Sequence, residues 1–257
     1  MGKVTYIIPL HKFDEQVKEM LPNALKSIKD TRSKDYTLLI VGPKDVLDDA
    51  EKVVSELKMK TSTKFVENQG ETDFFSQVNE AALKCTTKFF CVVEFDDTVI
   101  EYWPEVFEKY QAETSASVVM PLNELVENGE FVSFGNEMAW NASFSNDVGF
   151  IDIDCLNTYM TFNVTGAFIN TEEFIKIGML KPSLKAAAWY EFLLRACHNG
   201  LKIYVAPKLG YSHTVNRSGS YMDTVSSTLS KEEGDWLVNT AKQEYFFKED
   251  RNKKFGE

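Results

Sequence analysis

The chain has 257 residues, 44% of them hydrophobic and 26% charged, a composition suited to a globular protein with a sizeable core. Its 39 acidic and 28 basic side chains give a net charge of −11, which disfavours nucleic acid and anionic lipid as partners. No apolar run approaches the ~20 residues of a membrane span and no secretory signal opens the chain, so the expected setting is cytoplasmic, without stable membrane insertion. Cys85, Cys91, Cys155 and Cys197 form no C-x-x-C pair; they read as free thiols of a reducing compartment, not as a zinc site. Without a secretory signal, the N-x-S/T triplets at Asn141, Asn163 and Asn216 read as coincidence.

Strands and helices alternate through the first half. The run 4–10 (VTYIIPL) predicts a buried strand closed by proline. Val17, Met20, Leu21, Leu25 and Ile28 then recur at a helical period, with Pro22 as a possible break. A second strand is predicted at 36–42, an amphipathic helix over 46–58, a third strand at 63–68 and a helix over 73–85 with Phe74, Val78, Ala81 and Ala82 on one side. The fourth strand is KFFCVVEF, 88–95. This βα alternation predicts a mostly parallel sheet with helices on both faces.

The second half is less regular. A helix is predicted over 101–113, with Pro104 in its first turn, and a strand at 115–122. Residues 123–165 read as loops with a hairpin. A short strand and a helix capped by Thr171 follow, then a strong helix over 186–200, a last strand at 201–207 and an amphipathic helix from Lys231.

The fourth strand ends in Glu94, Asp96 and Asp97. In open parallel sheets ligands bind outside the carboxyl ends of the strands. Adjacent carboxylates there repel unless a cation neutralises them, and oxygen-rich sites suit Mg²⁺ or Mn²⁺ together with substrate phosphates. The competing reading makes Asp96 and Asp97 solvated helix caps. Pro9 and His11 end the first strand. Gly70 precedes a helix carrying Gln77 and Asn79. The stretch YSHTVNRSGS groups His213, Asn216, Arg217, Ser218 and Ser220, an imidazole for a metal shell and donors for phosphate oxygens; His213 reads equally as an ordinary loop histidine.

In this order the motifs resemble a family 2 glycosyltransferase. VTYIIPLHK resembles that family's opening strand, and ENQGETDFFSQVNEAALKCTTKFFCVVEFDD its Gly/Asn-bearing helix and Asp-x-Asp-type motif. The run from Ile177 to Ser220 resembles its acceptor-side helix, strand and histidine loop. The resemblance spans residues ~4 to 221. It implies a GT-A fold, an α/β Rossmann-like mostly parallel sheet flanked by helices. Residues 1–230 would be one domain, with a nucleotide-binding half (1–122) and an acceptor half (123–230), and 231–257 a helical tail. It further implies a metal-dependent, inverting transfer from a nucleotide-sugar, with a UDP-sugar as the expected donor, to a glycan, protein or other hydroxyl compound. Asp97, with Asp96, Glu94 and His213, would hold Mn²⁺ or Mg²⁺ on the diphosphate. Pro9 and His11 would line the nucleoside, with Gly70 and Asn79 beside them, and Arg217 and Ser218 would steady the phosphates.

Two departures stand out. The second strand ends in Gly42, Pro43, Lys44 and Asp45 instead of an acidic turn, leaving Asp45 as the nearest acid for the base. The family's Glu-Asp pair falls on Ala188 and Trp189, leaving Glu191 as the candidate general base; its competing reading is an i,i+4 pair with Arg195. Trp140, Trp189 and Tyr190 are candidates for an acceptor platform or for core. A nucleotidyltransferase is disfavoured because IIPLHKFDEQ lacks a phosphate-cradling glycine. A non-catalytic sugar-nucleotide-binding or structural protein on the same fold remains the alternative.

Overall fold

The computed structural model describes residues 4–68, 70, 73–144 and 147–255. Strands β1 (Val4–Pro9), β2 (Tyr36–Gly42), β3 (Thr63–Glu67) and β4 (Phe89–Val92) pair in parallel in the order β3-β2-β1-β4. The antiparallel β9 (Phe168–Asn170) joins β4 to β6 (Val118–Glu127), and β10 (Ile203–Thr214) runs parallel to β6. Short strands β5 (Thr98–Val99) and β8 (Phe150–Ile151) pair antiparallel with β10, and β7 (Glu130–Gly135) forms a hairpin with β6.

Successive side chains of a strand point to opposite faces, so each strand feeds two cores. Tyr6 and Ile8 pack with Val17, Leu21, Leu25 and Ile28 of α1 (Glu15–Asp30) and with buried residues of α2 (Lys44–Glu56) and α4 (Trp103–Thr114). Ile7 joins the other core, built on α3 (Phe74–Lys84), α6 (Thr171–Lys176), α7 (Ala188–His198) and α9 (Lys231–Phe255). Leu21 is fully buried, and its truncation to alanine would cost about 2–5 kcal/mol. Two shorter helices, α5 (Ile153–Thr158) and α8 (Tyr221–Thr228), sit in the connections. No described helix is long and apolar enough to cross a membrane.

Several local expectations shift. Pro22 does not break α1, which runs unbroken from Glu15 to Asp30; the apolar stripe that buries Leu21 and Leu25 holds the helix together across it. The N-cap of α6 is Asn170, whose side chain accepts from Glu173 N at 3.1 Å, while the Thr171 hydroxyl donates to Thr87 O. The last strand does not stop at Pro207. Register shifts between Val205 and Tyr211 absorb the Pro-Lys-Leu-Gly stretch, and pairing resumes through Thr214. The C-terminal helix is no loose tail, because Ala241 and Tyr245 are buried in the core shared with α7; residues 256 and 257 lie outside the described residues.

Candidate functional site

Beyond β4 the chain keeps to β1 for one more bond, Val93 N to Ile7 O at 2.9 Å, then turns, with Asp97 N donating to Glu94 O at 3.2 Å. The turn faces the end of β10. Glu94 N donates to the Tyr211 hydroxyl at 3.0 Å. Two glycines admit the rings that hold this junction. A Cβ on Gly166, at φ +82°, would lie 2.5 Å from the Tyr211 ring, and one on Gly210 would lie 2.4 Å from Trp103. Trp103 Nε1 in turn donates to Gly166 O at 2.8 Å.

The acidic turn is thereby stitched to the histidine loop. Asp97 is 2% exposed. Its Oδ2 accepts from His213 Nδ1 at 2.8 Å and its Oδ1 from Thr214 N at 2.7 Å. Asp96 Oδ2 accepts from Arg217 Nε at 2.5 Å, while its other oxygen, Oδ1, is buried without a partner. Arg217 also stacks over Phe95 and bonds Gln16 of α1.

The charges explain the proton affinities. Three carboxylates face two cations, His213 and Arg217. Burial, and then the neighbouring Asp97, push Glu94 up to about 8. Asp96 is raised by burial and by Asp97, with Arg217 opposing. Burial pulls His213 down, but Asp97, followed by Glu94 and Asp96, outweighs it and holds the imidazole at about 9. With three carboxylates against two cations, the cluster favours either a proton on Glu94 or an added cation.

Ligand atoms of Glu94, Asp97 and His213 lie within 4.8 Å of one another. Two carboxylates and an imidazole, beside the unpartnered Asp96 oxygen, fit a divalent ion. The cluster opens on a cleft of about 410 Å³ lined by Glu94, Asp96, His213 and Asn216 at one end and by Phe75, Asn163, Trp189 and Tyr190 further along.

No protein-family model matches the chain, and no curated protein matches it in sequence. Solved structures do match. The S. aureus glycosyltransferase TarS, residues 1–349 in complex with UDP, superposes with a TM-score of 0.65 at 17% identity, covering 92% of this chain and 69% of that one. The same segment with UDP-GlcNAc gives 0.67 at 16% identity, covering 92% and 70%. Longer TarS gives 0.61 at 18%, covering 92% and 42%. The fold is of the GT-A type. At such identities the likeness speaks for the architecture alone.

On this GT-A frame the expected site residues separate into two sets. Glu94, Asp96, Asp97, His213 and Arg217 come together as described. His11 is exposed at the end of β1, its imidazole lowered by partial burial and Lys12, with Arg217 near enough to contribute. Pro9 closes β1 and is buried. Asp45 is exposed in the first turn of α2, and Gly70 is exposed and accepts from the Asn68 amide at 3.2 Å; neither lines the cleft. Ser218 is exposed beside Arg217, which donates to its carbonyl.

Asn79 stands elsewhere. Its amide donates to Leu180 O and accepts from Leu180 N, both at 2.9 Å, pinning the loop after α6. Its helix neighbour Gln77 faces the chain just beyond β1 instead, donating to Leu10 O at 3.0 Å; three residues separate like faces of a helix, and these two are only two apart.

The geometry also runs against Glu191 as the base. Glu191 is 1% exposed and does not line the cleft. Arg195 grips both its oxygens, Nε at 3.0 Å and Nη2 at 2.9 Å; Lys181 reaches it at 2.8 Å and the Tyr245 hydroxyl donates to it as well. Burial would raise its pKa, but Arg195, Lys181 and Tyr245 win and hold it below the usual carboxylate range. A carboxylate so saturated is a poor proton acceptor. The i,i+4 reading describes its placement.

Trp189 and Tyr190 line the cleft, whereas Trp140 packs on Tyr204 and donates to Val205 O away from it. Asn163 went unrecognised as a site residue. Its Oδ1 accepts from Thr165 N and Oγ1, while its buried Nδ2 has no partner and the residue lines the cleft. The N-x-T triplet there spells an Asx turn.

Proposed function

We propose that the protein is a metal-assisted glycosyltransferase that uses a nucleotide-sugar, with UDP as the leaving group. The observation that carries this reading is the convergence of Glu94, Asp97 and His213, their ligand atoms within 4.8 Å of one another, at the wall of a cleft by the carboxyl ends of parallel strands. The TarS structures with UDP and UDP-GlcNAc support it, since they share the fold.

In this reading Glu94, Asp97 and His213 would hold the ion, with the unpartnered Asp96 oxygen beside them. The bond between Asp97 and His213 also orients the imidazole, as carboxylates commonly do for metal-bound histidines. Mn²⁺ or Mg²⁺ would supply charge to offset the departing diphosphate. Arg217 swings from Asp96 to a phosphate oxygen, with the Ser218 hydroxyl beside it. Pro9 and His11 edge the nucleoside, Asn163 Nδ2 donates to a hydroxyl of the sugar and Trp189 covers an apolar sugar face. The base of an inverting transfer must stand on the acceptor side. Asp235 of α9 lines the cavity adjoining the cleft and takes the candidacy Glu191 loses.

Calorimetric titration of UDP with and without Mn²⁺ tests the reading in wild type, Glu94→Gln and Asp235→Asn. The expected pattern is Mn²⁺-dependent UDP binding in wild type and Asp235→Asn, lost in Glu94→Gln, with transfer slowed in Asp235→Asn. Absence of UDP binding by wild type in Mn²⁺ would refute it.

A further inference from the structure

A second cavity of about 390 Å³ lies against the first and shares Met160, Thr161, Ala186 and Tyr190 with it. Its chemistry differs. The donor cleft ends in carboxylates, an imidazole and amides, whereas the second cavity is walled by Met160, Ala187, Leu229, Leu237 and Val238, with Lys231 and Asp235 as its charged members. Its far wall is α9, anchored by Ala241 and Tyr245 in the core and by Lys242 donating to Asn157 O at 3.0 Å. The space is therefore bounded by packed elements and is of the size that takes a small organic group.

We infer that this cavity receives the apolar part of the acceptor, so that the acceptor is a hydroxyl compound carrying an alkyl or aryl group instead of a bare sugar or a polyanion. The inference rests on the glycosyltransferase reading, because continuity with the donor cleft is what makes the occupant an acceptor. An apolar group seated against Leu229, Leu237 and Val238 would leave its attached hydroxyl toward the wall that the two cavities share. Each methylene buried there strengthens binding roughly fourfold, about 0.8 kcal/mol.

Gly234 provides a test that preserves the fold. It lies in α9 on the cavity wall, and a Cβ there would meet nothing within 4 Å. Replacing a helical glycine also favours the helix. Gly234→Phe should therefore fold and fill the cavity. Octyl and methyl β-glucoside, below the micelle concentration, are titrated into wild type and Gly234→Phe with Mn²⁺ and UDP present, following the Met160 methyl resonance; UDP binding is measured separately. The expected result is octyl glucoside binding at least tenfold tighter than methyl glucoside in wild type, that preference abolished in Gly234→Phe, and UDP affinity within twofold in both. Equal binding of the two glucosides, or an octyl preference that survives in Gly234→Phe, overturns the inference while UDP binding stands. Octyl binding without UDP binding overturns the acceptor assignment together with the glycosyltransferase reading.

Discussion

Replacing Glu191 by glutamine separates a structural carboxylate from a catalytic one. Glutamine keeps the volume and one acceptor oxygen, which can still serve Arg195 Nε, Lys181 and Tyr245. It places an NH₂ where Oε2 now accepts Arg195 Nη2 at 2.9 Å, so donor meets donor. One charge-assisted bond of about 1.5–3 kcal/mol is lost, and removal of one member of a buried ion pair costs about 3–5 kcal/mol. The Arg195 guanidinium keeps its bonds to the Ile177 and Met179 carbonyls, and Lys181 is 45% exposed and contributes little. A loss near 3 kcal/mol follows, or ~6–12 °C in Tm for a chain of this size. Urea unfolding followed by tryptophan fluorescence at pH 7 reads it. The sign with pH is fixed by the depressed carboxyl. The wild-type advantage is complete above the unfolded value of about 4.3 and fades as pH falls through the lower folded value. A variant as stable as wild type but devoid of transfer would refute the structural assignment and return Glu191 to the chemistry.

Three further outcomes can be checked. Asn79→Ala should lose about 1–3 kcal/mol by freeing both bonds to Leu180 and leave UDP affinity unchanged; a large fall in affinity by calorimetry would put Asn79 back in the nucleoside pocket. Asp97→Asn removes the foremost group holding His213 at about 9, so an NMR titration of the metal-free protein should show the imidazole falling toward its ordinary 6.5. Trp189→Ala should weaken UDP-GlcNAc binding several-fold while leaving UDP binding alone; equal losses for both would remove the ring from the sugar site.

The parallel half of the fold is legible because its periods are clean. The runs 36–42 and 63–68 alternate with helices whose apolar residues repeat every three or four positions, and the structure follows them within two residues. The acidic turn is legible because three acids ending an apolar strand are electrostatically costly without a counter-charge. What escaped the sequence is directional. Asn79 and Gln77 are two residues apart on one helix, and their residue types do not say which one faces β1. Glu191 stands beside the family's motif position, but only the fold brings Lys181 and Tyr245, from distant segments, onto its oxygens. The extent of β10 was hidden by Pro207, which reads as an ending until β6 supplies a partner that tolerates the register shifts.

The junction of Gly166, Gly210, Trp103 and Tyr211 carries an evolutionary consequence. The Tyr211 ring presses on Gly166, and Trp103 together with Pro121 presses on Gly210, while the same two aromatic side chains fix the carbonyl of Gly166 and the amide of Glu94. Enlarging either glycine alone drives an atom into an aromatic face, and shrinking either ring alone opens a void beside the acidic turn. Because Gly166 is also held by its φ of +82° and Gly210 by Pro121 Cβ at 2.7 Å, trimming a ring does not free either glycine to change, and all four positions are constrained together.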